Sequence, residues 1–183
     1  MELFEKTLSS RLIFDGKVVH LYVDDVELPD GGVSVREYVK HLGAVCIVPV
    51  TDDGDVILER QYRYAVGEVL LEIPAGKLDY AGEDMRSAAL RELREETGAV
   101  PAELVDLGTY YGSPAIMGEK IGMFLARGLS FGEDHLDEDE FLEVVRMPLK
   151  DAVDMVMRGE VPDGKTQCAL LRAYHMLSAE GRI

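Results

Sequence analysis

The sequence predicts an α/β fold, in which helices cover both faces of a mixed sheet and a small antiparallel sheet precedes it. Three features lead to this prediction. Apolar and polar side chains alternate over residues 18–28, as in a half-buried strand. Residues 43–50 form a continuous apolar run, which is typical of a central strand covered on both faces. Strand-like and helix-like segments then follow one another as far as residue 179, without repeats or a second domain.

The first 42 residues are expected to form an N-terminal β-hairpin region. Strand-like segments occupy residues 12–14, 18–28 and 33–40, and turn residues occupy 15–16 and 29–32. A hairpin region this short cannot bury both of its faces by itself. We therefore distinguish residues 1–42 from a larger domain, residues 43–183.

The larger domain is predicted to contain six strands and three helices. The strands are expected at residues 43–50, 56–62, 70–73, 105–111, 120–127 and 141–148. The helices are expected at residues 83–97, 149–158 and 165–179, and the inward side chains of the last are Ala169, Leu170, Ala173 and Leu177. A tight loop at residues 74–76 connects a short strand to the first helix.

Composition and charge limit the classes of function. The chain has 183 residues, of which 47% are hydrophobic, so it can bury the core of a globular domain. Its net charge of −16 opposes binding to DNA or RNA polymers, which are polyanions. A small phosphorylated molecule could still bind if divalent cations bridge it to carboxylates. No apolar run approaches the length of a membrane span, so we expect no membrane partner.

The cysteines and the first residues indicate a reducing compartment. Cys46 and Cys168 lack the spacing of a metal site or a redox motif, so both are expected to be buried thiols. Residues 1–6 have no apolar core of the kind found in signal peptides. We therefore expect a cytoplasmic location.

Three carboxylates are predicted to share one face of the first helix. Glu92 precedes Glu95 by three residues and Glu96 by four, and these spacings bring side chains together on a helix. Like charges so placed repel each other, which disfavours the helix unless something neutralises them. A divalent cation that prefers oxygen ligands, Mg²⁺ or Mn²⁺, would do so. The alternative is a solvated acidic helix face.

Local signals define the two ends of this helix. Its buried stripe is expected to consist of Met85, Ala89 and Leu93. Glu83 and Asp84 are expected in the first turn, where the helix dipole favours anions. Gly98 suits a left-handed cap at the C-terminal end.

Residues 76–99 resemble the signature of the Nudix hydrolases, G-x5-E-x7-R-E-U-x-E-E-x-G-U, in which U is a bulky aliphatic residue. The match runs in order and spacing through Glu83-x7-Arg91-Glu92-Leu93-x-Glu95-Glu96-x-Gly98. Six residues instead of five separate Gly76 from Glu83, and Ala99 replaces the final aliphatic residue. Neither departure removes a candidate ligand. The resemblance to one subfamily, the ADP-ribose pyrophosphatases, covers roughly residues 35–172.

This resemblance implies a fold, an assembly and a metal site. The fold is the Nudix α/β/α sandwich. In this subfamily the N-terminal sheet packs on, or swaps with, a second subunit, so we expect a homodimer. The expected metal ligands are the backbone carbonyl of Ala75 and the side chains of Glu92, Glu95 and Glu96. Arg91 is expected to pair with Glu83 and to brace the loop against the helix, with contact between Arg91 and substrate as the alternative.

A general base is also required, and the acidic segment at residues 133–140 can supply one. In relatives, a glutamate just before the strand that corresponds to residues 141–144 closes over the metals. By this match Glu140 is the first choice and Glu138 the second, and one can bind metal while the other activates water. The strand that follows is expected to lie near the acidic helix. The alternative is a mobile acidic surface loop.

Substrate recognition is assigned to arginines and to one loop. Residues 61–63, Q-Y-R, resemble the family motif Q-[YF]-R, whose arginine contacts the diphosphate, so Arg63 is the main candidate. Arg36 and Arg60 are further candidates, with ordinary surface arginines as the alternative. Ser113 and Pro114 resemble the loop beside the terminal ribose, although alanine follows where most relatives have glycine.

The resemblance therefore implies a divalent-metal-dependent pyrophosphatase that hydrolyses ADP-ribose, or a related nucleoside diphosphate sugar, with AMP and ribose 5-phosphate as the products from ADP-ribose. Two alternatives remain. One is a non-catalytic Nudix-fold module that senses a nucleotide, and the other is a Nudix hydrolase for another dinucleotide. The presence of all three helix carboxylates favours an enzyme.

Overall fold

The structure, a computed structural model, describes residues 2–133 and 141–183. Within these ranges the chain forms ten strands and three helices. The elements fall into two compact units. The first unit comprises residues 2–43 and 111–120, and the second comprises the described parts of residues 44–110 and 121–183.

The first unit is built on a small antiparallel sheet, as the sequence predicted. Its strands are β1 (Lys6–Asp15), β2 (His20–Glu27) and β3 (Val33–Lys40), and β2 lies in the middle. β1 is longer than the predicted strand at residues 12–14, because its polar first half also pairs with β2. Every residue of β1 is exposed in the single chain.

Residues 111–120 join this unit through β3. The Ile116 carbonyl accepts a hydrogen bond from the Val39 N–H at 2.8 Å, and the Gly118 N–H donates to the Val39 carbonyl at 2.9 Å. Within the loop, the Ser113 carbonyl accepts from the Ile116 N–H at 3.1 Å, which closes a turn around the next residues. The predicted ribose loop is therefore an ordered turn attached to β3.

The second unit contains a mixed sheet and a three-stranded antiparallel sheet. In chain order its strands are β4 (Ala44–Pro49), β5 (Asp55–Arg63), β6 (Glu68–Glu72), β7 (Ala75–Lys77), β8 (Ala99–Tyr110), β9 (Ile121–Phe131) and β10 (Leu142–Pro148). The mixed sheet has the order β7-β4-β9-β8, in which only β4 and β9 are parallel. The other sheet has the order β10-β5-β6.

Helices cover both faces of the mixed sheet. They are α1 (Met85–Thr97), α2 (Leu149–Met157) and α3 (Gly164–Ala179). Side chains of β4 alternate between two cores, because Val45 and Ile47 pack with α1 whereas Cys46 and Val48 pack with α2 and α3. All six residues of β4 are buried, as its apolar run predicted. The predicted α/β/α sandwich is confirmed.

In the second unit, β7 and β8 depart most from the sequence prediction. The segment predicted as a tight loop contains β7, which pairs with the first half of β4. β8 begins at Ala99, earlier than predicted, because it pairs with β9 along nearly its whole length. In both cases a neighbouring strand decides the conformation, and the periodicity of a single segment does not reveal such a neighbour.

The predicted inward residues of α3 are buried, namely Ala169, Leu170, Ala173 and Leu177. In the stripe predicted for α1, Ala89 and Leu93 are buried whereas Met85 is half-buried. In the described ranges, no helix combines the length and the apolar character needed to cross a bilayer.

The two cysteines differ in burial. Cys46 lies in the core, where burial raises the pKa of its thiol to about 12. Cys168 is only half-buried, so the expectation of two buried thiols is correct for Cys46 alone. Both are free thiols.

Candidate active site

The Ala75–Gly76 turn, which is the start of β7 ahead of α1, is held against the central strand β4. Ala75 lies opposite Cys46 and Gly76 lies opposite Val45 in the antiparallel pairing of β7 with β4. One residue earlier, the Pro74 carbonyl accepts a hydrogen bond from a β4 N–H at 2.9 Å. The backbone of Ala75 and Gly76 is thus fixed by the most buried strand of the domain.

Helix α1 is capped at both ends. The Asp84 carboxylate accepts from the Ser87 N–H at 2.8 Å, so Asp84 is the N-cap and does not belong to the first turn as predicted. Glu83 precedes the helix, and its carboxylate accepts from the Asp79 N–H at 2.7 Å. At the other end Gly98 adopts φ 67°, the predicted left-handed cap.

Two of the helix glutamates lie against the turn. Glu96 is 2% exposed, and its Oε2 accepts a hydrogen bond from the Ala75 N–H at 3.0 Å. The Glu92 carboxylate occupies the space that a Cβ at position 76 would need, and the glycine there leaves room for it. Helix and turn thus bring Glu92, Glu96 and the Ala75–Gly76 backbone together at one place in the fold.

Arg91 lies between several carboxylates. Its Nη1 is 2.7 Å from Glu92 Oε1 and 3.2 Å from Glu95 Oε2. Its other nitrogens lie 3.3 Å from Asp79 Oδ2 and 3.5 Å from Glu83 Oε1, so the predicted pair with Glu83 is present. Burial works against the charge of Arg91, but the carboxylates outweigh it and raise the pKa of Arg91 above its usual value. Arg91 therefore remains a cation that offsets the repulsion within the helix.

The donor chemistry of this place suits a hard divalent cation, because it consists of carboxylate and carbonyl oxygens. In the arrangement observed, Arg91 binds Glu92 and Glu95, and the Ala75 N–H binds Glu96. Across residues 2–133 and 141–183, no three His, Cys, Asp or Glu side chains converge into a ready-made metal site. The residues fit such an ion by their chemistry and by their common place beside the turn.

The arginines of β5 have carboxylate partners. Arg63 forms two hydrogen bonds with Glu72, from Nε at 2.7 Å and from Nη2 at 2.8 Å. Arg60 Nη1 lies 3.5 Å from Glu143 Oε2 on the neighbouring strand β10, and both side chains are exposed. Arg63 is thus oriented by a buried carboxylate, whereas the partner of Arg60 is exposed.

Three predicted substrate contacts belong to the first unit. Arg36 in β3 donates to Glu5 from Nε at 2.8 Å and from Nη2 at 2.5 Å. Ser113 and Pro114 lie in the turn that is attached to β3.

Models of known families match nearly the whole chain. Residues 40–167 match the NUDIX domain. The chain belongs to the Nudix hydrolase family. Residues 5–39 match the nucleoside diphosphate sugar hydrolase N-terminal domain, which in this Nudix hydrolase includes all of β1 and most of β3. The resemblance inferred from the glutamate helix is therefore confirmed.

Individual relatives cover the Nudix chain almost completely. ADP-ribose pyrophosphatase of Bacillus subtilis is 48% identical over 168 residues, which is 91% of this chain and 90% of that protein. Methanol dehydrogenase activator of Bacillus methanolicus is 42% identical over the same fractions of both chains. A crystal structure of an ADP compounds hydrolase is 26% identical, with a TM-score of 0.86 and 100% of both chains covered.

The candidate bases of this Nudix hydrolase, Glu138 and Glu140, lie outside the described residues. The strand that follows them, β10, was expected near α1. Its hydrogen-bonded neighbour is instead β5, where Leu142 lies opposite Gln61. The first residue of β10 therefore lies beside the Q-Y-R motif that contains Arg63.

Sequence reasoning missed a buried polar group at the start of α3. Thr166 Oγ1 accepts a hydrogen bond from the Ile73 N–H at 3.1 Å, which holds the chain just before the Ala75–Gly76 turn. Lys165 pairs with Glu72, the residue that orients Arg63. The only sequence signal was a charged residue, Glu72, inside an apolar strand, and it does not identify partners 93 residues away.

Proposed function

We propose that this Nudix hydrolase cleaves the pyrophosphate bond of ADP-ribose, or of a related nucleoside diphosphate sugar, and releases AMP and ribose 5-phosphate from ADP-ribose. The observation that carries the proposal is the placement of Glu92 and Glu96 against the Ala75–Gly76 turn. The 48% identity to an ADP-ribose pyrophosphatase supports the choice of substrate.

We assign the divalent cation, Mg²⁺ or Mn²⁺, to the carbonyl of Ala75 and the side chains of Glu92, Glu95 and Glu96. Such an ion, when bound, neutralises phosphate oxygens and lowers the pKa of a bound water. The hydrogen bond from the Ala75 N–H keeps the buried Glu96 carboxylate turned toward the turn. The glycine at position 76 leaves room for the Glu92 carboxylate.

Arg91 has a supporting role in this proposal. When the cation binds, Glu92 and Glu95 lose their contacts with Arg91 and bind the cation instead. Arg91 still has Asp79 and Glu83 within 3.5 Å. It also donates to the Lys77 carbonyl at 3.3 Å. These contacts keep the guanidinium beside the turn in either state, so Arg91 braces the loop against the helix.

We assign recognition of the diphosphate to Arg63. Its side chain is 39% exposed, whereas its partner Glu72 is 1% exposed. The pair uses Nε and Nη2, so the Nη1 edge of the guanidinium takes no part in it and suits a phosphate oxygen. Further substrate contacts are proposed for Arg36, Arg60, Ser113 and Pro114.

The function is tested with a panel of diphosphates, in which ADP-ribose, other nucleotide sugars and dinucleotides are incubated with Mg²⁺ or Mn²⁺ and the products are identified by mass. We expect the largest kcat/KM for ADP-ribose, with AMP and ribose 5-phosphate as products. Faster cleavage of a dinucleotide would replace the proposed substrate. Binding without cleavage of any member would identify a nucleotide sensor instead of an enzyme.

The base is proposed to be Glu140, with Glu138 as the second choice. Glu140→Gln should lower kcat by at least about tenfold and change KM little, because the loss falls in the transition state. A Mg²⁺ titration of both variants separates the roles, since loss of a metal ligand raises the Mg²⁺ concentration needed for half-maximal rate. A slower Glu138→Gln would assign the base to Glu138, and normal rates in both would exclude this segment as its source.

We propose a homodimer that uses the N-terminal sheet. The exposed strand β1 has apolar side chains at Leu8, Leu12, Ile13 and Phe14, each between 46% and 56% exposed in the single chain. Such a surface is typical of an interface.

Ile13→Glu should raise the dimer dissociation constant at least about tenfold, because a carboxylate would enter an apolar contact. Analytical ultracentrifugation measures this, and Leu171→Glu on α3 is the control; a monomeric wild type would contradict the proposal.

The free thiols support a reducing compartment, and we propose a cytoplasmic location. Neither Cys46 nor Cys168 forms a disulfide. Fractionation of cells that produce the protein checks this location directly.

A further inference from the structure

The side chain of Arg63 is oriented by one buried carboxylate. Glu72 accepts from both Nε and Nη2 of Arg63, an arrangement that leaves the guanidinium plane a single direction. Because Glu72 is 1% exposed, it has little water to stabilise its charge. Whatever holds Glu72 therefore determines where the exposed edge of Arg63 points.

A second cation binds the same carboxylate. Lys165 Nζ contacts Glu72 Oε2, the oxygen that also accepts from Arg63 Nη2. Among the described residues, Arg63 and Lys165 are the two cations paired with Glu72. Lys165 is itself 13% exposed and lies 3.0 Å from Asp163.

Lys165 is placed by the first turn of α3. Asp163 is the N-cap of this helix, and its carboxylate accepts from the N–H of Thr166 at 2.9 Å and from its hydroxyl at 2.6 Å. The same hydroxyl holds the Ile73 N–H. The helix start thus connects to the strand end that carries Glu72 through both a charge and a hydrogen bond.

The electrostatics of this cluster depend on Lys165. Glu59 lies directly opposite Glu72 on the neighbouring strand, and both are buried. Burial raises the pKa of Glu72, but Arg63 and Lys165 outweigh it and hold that pKa below its usual value. Burial lowers the pKa of Lys165, but Asp163 and Glu72 raise it by more, so its pKa lies above the usual value. Without Lys165, Arg63 would be the one cation that pairs with Glu72 among the described residues.

We propose that Lys165 is a positioning residue, which holds Glu72 and thereby aims the guanidinium of Arg63 at the substrate diphosphate. This inference rests on the proposed function. It concerns binding of the diphosphate, since neither Lys165 nor Glu72 is required to touch the reacting atoms. The expected effect is therefore on KM, because an interaction made equally in the ground state and the transition state leaves kcat unchanged.

The test compares Glu72→Gln, Lys165→Met and the double variant, with ADP-ribose as the probe. Each single variant should raise KM about tenfold, the size expected for loss of a charge-assisted hydrogen bond, with kcat within about threefold of wild type. The double variant should be within about twofold of Glu72→Gln, because Lys165 acts through Glu72. Lys165→Arg, which keeps the charge, should recover most of the affinity.

A matched control tests whether the loss is specific to Lys165. Lys150→Met removes an exposed lysine that pairs with Asp154 on α2, and it should leave KM and kcat unchanged. If Lys165→Met alone does not fold, Glu72→Gln and the double variant decide, since in them the buried carboxylate loses its charge. Multiplicative effects in the double variant, or an unchanged KM in Glu72→Gln, would overturn the inference alone. A wild type that cleaves no diphosphate of the panel overturns the proposed function, and the inference with it.

Discussion

Replacing Glu96 by glutamine is expected to lower kcat by about 10²–10⁴, the range for loss of a positioned catalytic group. Glutamine has nearly the same size, and its carbonyl oxygen can still accept the hydrogen bond that Glu96 accepts from the Ala75 N–H at 3.0 Å. The buried contact between helix and turn should therefore persist while the charge is lost. The variant should unfold at a temperature close to that of the wild type.

Steady-state kinetics at saturating Mg²⁺, together with circular dichroism, measure both parts of this expectation. Glu160→Gln is the matched control, because Glu160 forms an exposed pair with Arg158. It should leave kcat unchanged. A Glu96→Gln enzyme within tenfold of the wild type would remove Glu96 from the metal site.

Replacing Gly76 by alanine is expected to lower kcat/KM by about 10²-fold, the size of effect that small misplacements of reacting groups can produce. A Cβ at this position would overlap the Glu92 carboxylate, which is the end of a flexible side chain. The side chain can rotate away, so the main loss should be in activity and not in stability. The backbone at Gly76 does not have a positive φ, so alanine introduces no backbone strain there.

A double-mutant cycle with Glu92→Gln tests whether the effect passes through Glu92. If it does, adding Gly76→Ala to Glu92→Gln should change the rate little, since the displaced group is already without charge. Melting temperatures of all three variants show whether the fold is retained. Additive losses would mean that Gly76 matters for another reason, such as the path of the turn.

The acidic helix could be predicted almost completely because its signals are local. The apolar spacing of Ala89 and Leu93 determines which face is buried, and the glycine at position 98 determines where the helix ends. Its N-terminal end was placed too early, since Asp84 acts as a cap and Glu83 binds the loop instead. Caps compete with helical positions for the same residues, and the choice depends on which backbone N–H groups are within reach.

The buried run of β4 was equally predictable, whereas β7 was not. β4 has an apolar side chain at every position, which only a strand covered on both faces tolerates. β7 has three residues without any such pattern, and it exists because β4 offers it hydrogen-bonding partners. The placement of Ala75 opposite Cys46 thus depends on the assembled sheet.

By itself, the sequence determined the family, the α/β/α sandwich and the three glutamates of α1, since spacing along a helix and apolar runs act over a few residues. Only the tertiary structure decided that Glu96 binds the Ala75 N–H, that the Glu92 carboxylate fills the space beside Gly76, and that Lys165 joins Arg63 on Glu72. The contact of Glu96 with Ala75 spans 21 positions, and that of Lys165 with Glu72 spans 93. Burial and the pairing of buried charges select these partners, and both depend on residues that are distant in the sequence.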